Sequence, residues 1–123
     1  MAGEAVGMNP EYLSSLQSIL YGVQPRLQRA HDLQFKGVFG AVAAYVDGRI
    51  FVSFGKFGLA LKLPPERCAA LIAEGSVGPL RYFPKGHIKK SYVVLPERTM
   101  EDSSSLRELM NESIGYVTNH PVQ

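Results

Sequence analysis

Two residues, Asp47-Gly48, constrain this chain more than any others. They separate one apolar run, Val38–Val46, from another, Arg49–Phe54. An Asp-Gly pair in that setting is the strongest short-range signal for a two-residue hairpin. The turn needs positive φ at both central positions, which Asp tolerates and Gly adopts freely. If it closes there, Val46 faces Arg49, Tyr45 faces Ile50 and Ala44 faces Phe51. Gly55-Lys56-Phe57-Gly58 reads as the next turn, and Leu59–Leu63 as a third strand. Leu59, Leu61 and Leu63 share one face, with Ala60 and Lys62 on the other. That alternation marks an antiparallel sheet with one face on the core.

The first strands differ, because both their faces are apolar. Val42, Ala44 and Val46 fall on one side, and Phe39, Ala43 and Tyr45 on the other. Two readings follow. The outer side holds small residues of a central strand, or it meets another subunit or a ligand.

Helices frame the meander. Asn9-Pro10 is a helix start, with Asn9 as N-cap and Pro10 at the first helical position. Tyr12, Leu13, Leu16, Ile19, Leu20 and Val23 then recur at helical spacing. Pro25 stops or kinks this helix, and Leu27 and Ala30, with Leu33 as a further candidate, continue it as one bent helix or a second short one. Pro64–Gly75 carries a Pro start, an early Glu66 and a terminal Gly75, which frame a second helix. Cys68, Leu71 and Ile72 form its buried stripe. Val77–Phe83 reads as a fourth strand interrupted near Gly78-Pro79, and Ile88–Leu95 as a fifth. Asp102, or one of Ser103, Ser104 and Ser105, caps a last helix whose apolar face is Leu106, Leu109, Met110, Ile114 and Val117. The expected fold is α+β: a five-stranded antiparallel sheet, helices mainly on one face, in the order helix, three strands, helix, two strands, helix. Residues 1–8 read as a flexible tail and 9–119 as a single domain.

A chain of 123 residues can bury a core without metals or disulfides. Its one cysteine, Cys68, excludes an internal disulfide and fits a reducing compartment. No signal-like start or membrane-length apolar run is present. We therefore expect a cytoplasmic protein without membrane contact. A net charge of +2 permits an acidic partner without demanding one.

The motifs so assembled resemble the N-terminal domain of the TfoX/Sxy family. They are Val38-Phe39-Gly40-Ala41, Asp47-Gly48-Arg49-Ile50-Phe51, Leu59-Ala60-Leu61-Lys62 and Ser91-Tyr92-Val93-Val94-Leu95-Pro96-Glu97. Their order and spacing cover roughly Phe35 to Val117. Val38 stands where the family carries Met, and Ala41 where it carries a second Gly. The stretch from Pro25 to Gln34 is longer than usual. The C-terminal domain of full-length competence regulators has no counterpart here. The resemblance implies an α+β domain that binds a partner in transcription regulation, and it brings no catalytic residues.

The residues themselves offer no metal spacing among His31, His87 and His120, and no catalytic constellation. No cofactor or enzyme activity is expected. Two surfaces stand out. Phe39, Tyr45 and Phe54 are the candidate partner-binding residues of the outer sheet face. Arg81, Lys85, His87, Lys89 and Lys90, interleaved with Tyr82, Phe83 and Tyr92, form a basic hairpin. Such a hairpin defends a sheet edge against aggregation or binds single-stranded nucleic acid. The first reading is thus a non-enzymatic module for a protein partner, such as a transcription regulator. The second is a nucleic-acid-binding domain, and a small-ligand-binding domain stands behind it. A homodimer through an edge strand or the apolar sheet face fits either.

Overall fold

The computed structural model describes residues 8–23, 32–81 and 87–119. The Pro25 break, the segment containing Leu27 and Ala30, the residues before Met8, His31, Tyr82–Gly86 and His120 lie outside them.

Helix α1 (Pro10–Val23) begins as its sequence dictates. The Asn9 side-chain oxygen accepts the N–H groups of Glu11 and Tyr12 at 2.9 and 3.0 Å. These are two of the donors that a helix start leaves open. Four strands follow: β1 (Leu33–Val38), β2 (Ala41–Val46), β3 (Arg49–Gly55) and β4 (Gly58–Lys62). Helix α2 (Pro65–Ala73) leads to a two-residue β5 (Gly78–Pro79) and then β6 (Tyr92–Leu95). A short α3 (Glu97–Met100) and the long α4 (Ser103–Asn119) close the chain. The Asp102 carboxylate caps α4, accepting from the N–H and hydroxyl of Ser105. These hydrogen bonds also hold that carboxyl below its usual pKa.

The sheet is antiparallel, in the order β1-β2-β3-β4-β6-β5. Among the described residues it has six strands where the sequence suggested five. The single expected strand Val38–Val46 is split. Its first residue ends β1, and a tight turn at Phe39-Gly40 precedes β2. Phe39 has φ 50° and Gly40 φ 80°, the pattern of a type I′ turn. Of the expected strand Val77–Phe83, the described residues 77–81 form strand only at β5, because Pro79 offers no N–H to extend a ladder. Ile88–Leu95 shrinks to β6.

The Asp47-Gly48 turn forms as expected, with φ 53° and 80°. Val46 faces Arg49 and Tyr45 faces Ile50. The third pairing does not hold: Ala44 faces Val52, because β3 bulges at Phe51. One inserted residue moves every later side chain of the strand to the opposite face. Phe54 therefore pairs with Val42 on the helix side, and Ser53 with Ala43 on the far side. The bulge also takes Phe51 out of the ladder. Its carbonyl is met by the hydroxyl of Ser113 from α4, at 2.9 Å, as a buried main-chain acceptor requires.

Among the described residues, the main helical packing falls on one face. α4 lies over β2, β3 and β4, α1 over β2 and β3, and α2 against β6. The core between the layers holds Leu16, Leu20, Phe51, Val52, Leu59, Leu61, Met110 and Ile114 with their neighbours. Cys68 belongs to it, and burial pushes its thiol pKa up. That agrees with a core role for it and not with a reactive one. Two arginines tie helix ends to the rest. Arg49 donates to the Val117 carbonyl in the last turn of α4, and Arg107 to the Val23 carbonyl ending α1, both at 2.8 Å. Cations suit these positions, where unpaired carbonyls and the negative end of the helix dipole coincide.

Candidate functional site at the tyrosine-lysine end of the sheet

The far face of the sheet is built from register alone. Its middle row runs Lys36, Ala43, Ser53, Ala60, Val94, Gly78 from β1 to β5. Ala43, Ser53 and Ala60 are fully buried, yet none belongs to the helix-side core. Leu80, just after β5, is likewise fully buried outside that core. The far face thus has a closed centre of small side chains. Of the two readings of the two-sided strands, small residues on a central strand account for this middle row. The row nearest Phe39 is tighter still. A Cβ placed on Gly55 would stand 2.8 Å from the Cβ of Ala41.

The row nearest Asp47-Gly48 is different. Gln34 pairs with Tyr45, Tyr45 with Ile50, and Lys62 with Tyr92. The side chains here are long and half open. The Lys36 ammonium stands 5.1 Å from the centroid of the Tyr45 ring, and the Lys62 ammonium 5.8 Å from that of Tyr92. Each is a cation–π pair. A shallow cleft of about 320 Å³ opens beside them, lined by Tyr45, Gly48, Arg49, Ile50, Lys62, Tyr116 and Val117. That volume is at the small end of the range for ligand pockets.

Charge divides between the two layers. Glu11, Glu66, Glu74, Glu97, Glu101, Asp102, Glu108 and Glu112 all sit on helices or their caps. The helix arginines are engaged there. Arg67 makes a two-point contact with Glu112, at 2.8 and 3.3 Å, and that hydrogen bond raises its already high pKa. Arg98 donates to the Gly75 carbonyl. Lys36 and Lys62 project instead from the far face. Lys89 and Lys90 immediately precede β6, beside Tyr92, and are exposed. Arg81 and His87 are exposed on the neighbouring chain, where the Lys89 N–H donates to the Leu80 carbonyl. Cations and tyrosines therefore gather at one end of the sheet, together with Asp32 and Asp47, the two carboxylates of the described residues that lie outside the helix layer.

The three aromatic residues singled out from the sequence do not form one surface. Phe39 is 64% exposed, but in the β1–β2 turn, at the opposite end from Tyr45. Phe54 lies under the helices, edge-on to Tyr12 with ring centroids 5.9 Å apart. Only Tyr45 stands on the far face at the cationic end. Of the basic hairpin, Arg81, His87, Lys89 and Lys90 lie on the chain joining β5 to β6, and Lys85 lies outside the described residues. Sequence reasoning missed Lys36, Lys62 and the Tyr116 wall of the cleft. Lys36 and Lys62 could have been found, since each falls on the outer parity of its strand. Gly55-Lys56-Phe57-Gly58 is a plain hairpin turn joining β3 to β4.

Among the described residues no cluster of His, Cys, Asp and Glu could hold a metal ion. No helix among them is long and apolar enough to cross a membrane. Against known families, the TfoX N-terminal domain matches residues 26–116. No curated protein matches the chain.

Proposed function

The chain belongs to the TfoX N-terminal domain family, and we propose that it acts as a non-enzymatic interaction module in transcription regulation. It docks an acidic surface of a protein partner on the Tyr45–Lys62–Tyr92 end of its sheet. The supporting observation is the division of charge: carboxylates crowd the helix layer, while lysines and tyrosines project from the far face. Half-open tyrosines are good anchors, because they offer a large rigid contact area with a polar tip. Lysines around them steer an acidic partner and set the association rate.

A second reading has its own observation. Two tyrosine rings, each with a lysine beside it, also suit single-stranded nucleic acid, whose bases stack while its phosphates pair. One experiment separates the two. The tagged protein and its Lys62→Glu, Lys89→Glu variant are used for affinity capture from source-cell lysate, with and without nuclease. The proposal expects a nuclease-resistant protein that the double variant loses. Loss of every partner with nuclease moves the weight to nucleic acid, whose binding then weakens steeply with salt. A partner retained equally by both proteins overturns the proposed surface.

A further inference from the structure

The two edges of the sheet are not alike. β5 is two residues long and one of them is proline, which is how a sheet normally guards an edge. β1 is six residues long, contains no proline and is exposed along most of its length. Its main-chain directions follow from its pairing. The Asp47 N–H donates to the Asp32 carbonyl at 2.9 Å, and the turn at Phe39-Gly40 closes on Val38–Ala41. Asp32, Gln34, Lys36 and Val38 therefore direct their N–H and C=O groups toward β2. By antiparallel alternation, Leu33, Phe35 and Gly37 direct theirs outward. Those groups have no partner among the described residues.

We propose that β1 pairs antiparallel with β1 of a second copy of this chain, with Phe35 on the two-fold axis, joining two sheets into one. Symmetry leaves few registers. Side chains facing each other must share a sheet face, so a residue on the axis faces itself. Centring on Lys36 would set two like charges opposite each other and leave the outward groups of Leu33 facing Phe39 in the turn beyond the strand. Centring on Phe35 pairs the outward groups of Leu33, Phe35 and Gly37 with those of the other copy. It sets Phe35 against Phe35, and Leu33, 37% exposed, against a glycine that leaves it room. On the far face it sets Gln34 opposite Lys36, with Asp32 of the other copy diagonal to that lysine. Aromatic pairs and opposite charges across strands both favour the register. The joined sheet would carry two Tyr45 ends on one face, close to the seam, so a repeated or two-fold partner would be held twice. The pairing does not depend on what that partner is.

The test uses the full chain in sedimentation equilibrium between 1 and 200 μM, with three variants. Gly37→Pro removes an outward N–H that β1 does not use toward β2, and Leu33→Lys places a charge on the seam. Both should raise the dimer dissociation constant at least tenfold, with thermal unfolding of the isolated chain little changed. Phe35→Cys reports register: hydrogen-bonded antiparallel partners have Cα atoms about 5.5 Å apart, within disulfide reach. It should oxidise to a covalent dimer under conditions where Lys36→Cys does not. A wild-type chain that stays monomeric throughout this range overturns the proposal. So does a dimer indifferent to both edge variants, or one that cross-links through position 36 and not 35.

Discussion

The two faces of this sheet are made of the same strands and solve different problems. Toward the helices, alternate positions carry large apolar groups, Val42, Val52, Leu59, Leu61 and Val93, which interlock with α1 and α4. On the other side, the same strands carry Ala43, Ser53 and Ala60 at the centre and Tyr45, Lys62 and Tyr92 at one end. The helix face spends its residues on stability. The far face is small where it is closed, and polar and aromatic where it is open. Apolar content alone does not mark a binding surface: β2 is apolar on both sides, yet only one end of its outer side is open.

Mutations should divide along this line. Leu61→Ala, in the middle of the helix face, should cost about 3 kcal/mol in denaturant unfolding, from lost transfer energy plus a cavity. Gly55→Ala should cost about 2 kcal/mol, although it adds a single methyl on the far face. Its Cβ would meet that of Ala41 at 2.8 Å, and two backbones must part to admit it. A milder result would mean that the far face is looser than its register implies. Ser113→Ala should cost about 1 to 2 kcal/mol, since it strips the bulged Phe51 carbonyl of its donor. The smallest effect belongs to Ser53→Ala. The Ser53 hydroxyl is fully buried and has no hydrogen-bond partner among the described residues, so removing it should leave stability unchanged or slightly raised. A clear loss of stability there would show that the hydroxyl is satisfied in solution.

Much of the helix face could be read from the sequence. The Asp47-Gly48 turn, the Asn9 cap and the Leu59–Leu61–Leu63 stripe each rest on a local rule that the tertiary structure obeys. The far face was less legible, for two physical reasons. Phe39 is a poor advertisement for a turn, because a bulky residue rarely takes positive φ. The strand before it was therefore hidden, and with it the free edge. The bulge at Phe51 has no local signature either. A ladder drawn without it puts Phe54 on the far face and Ser53 in the core, the reverse of the structure. One residue of slippage was enough to misplace an aromatic contact. Lys62, by contrast, was placed on the outer side by simple alternation. Its value as a site residue emerged only once β6 brought Tyr92 beside it.

The most direct test of the division between the two faces is a photo-crosslinking residue placed at Tyr45 or at Tyr21 in source cells. Tyr21 is the control from the helix layer, an aromatic side chain 82% exposed on α1. The account predicts a discrete protein adduct from position 45 and none from position 21. An adduct formed from position 21 and absent from position 45 would contradict it, and would place the working surface on the acidic helix layer instead.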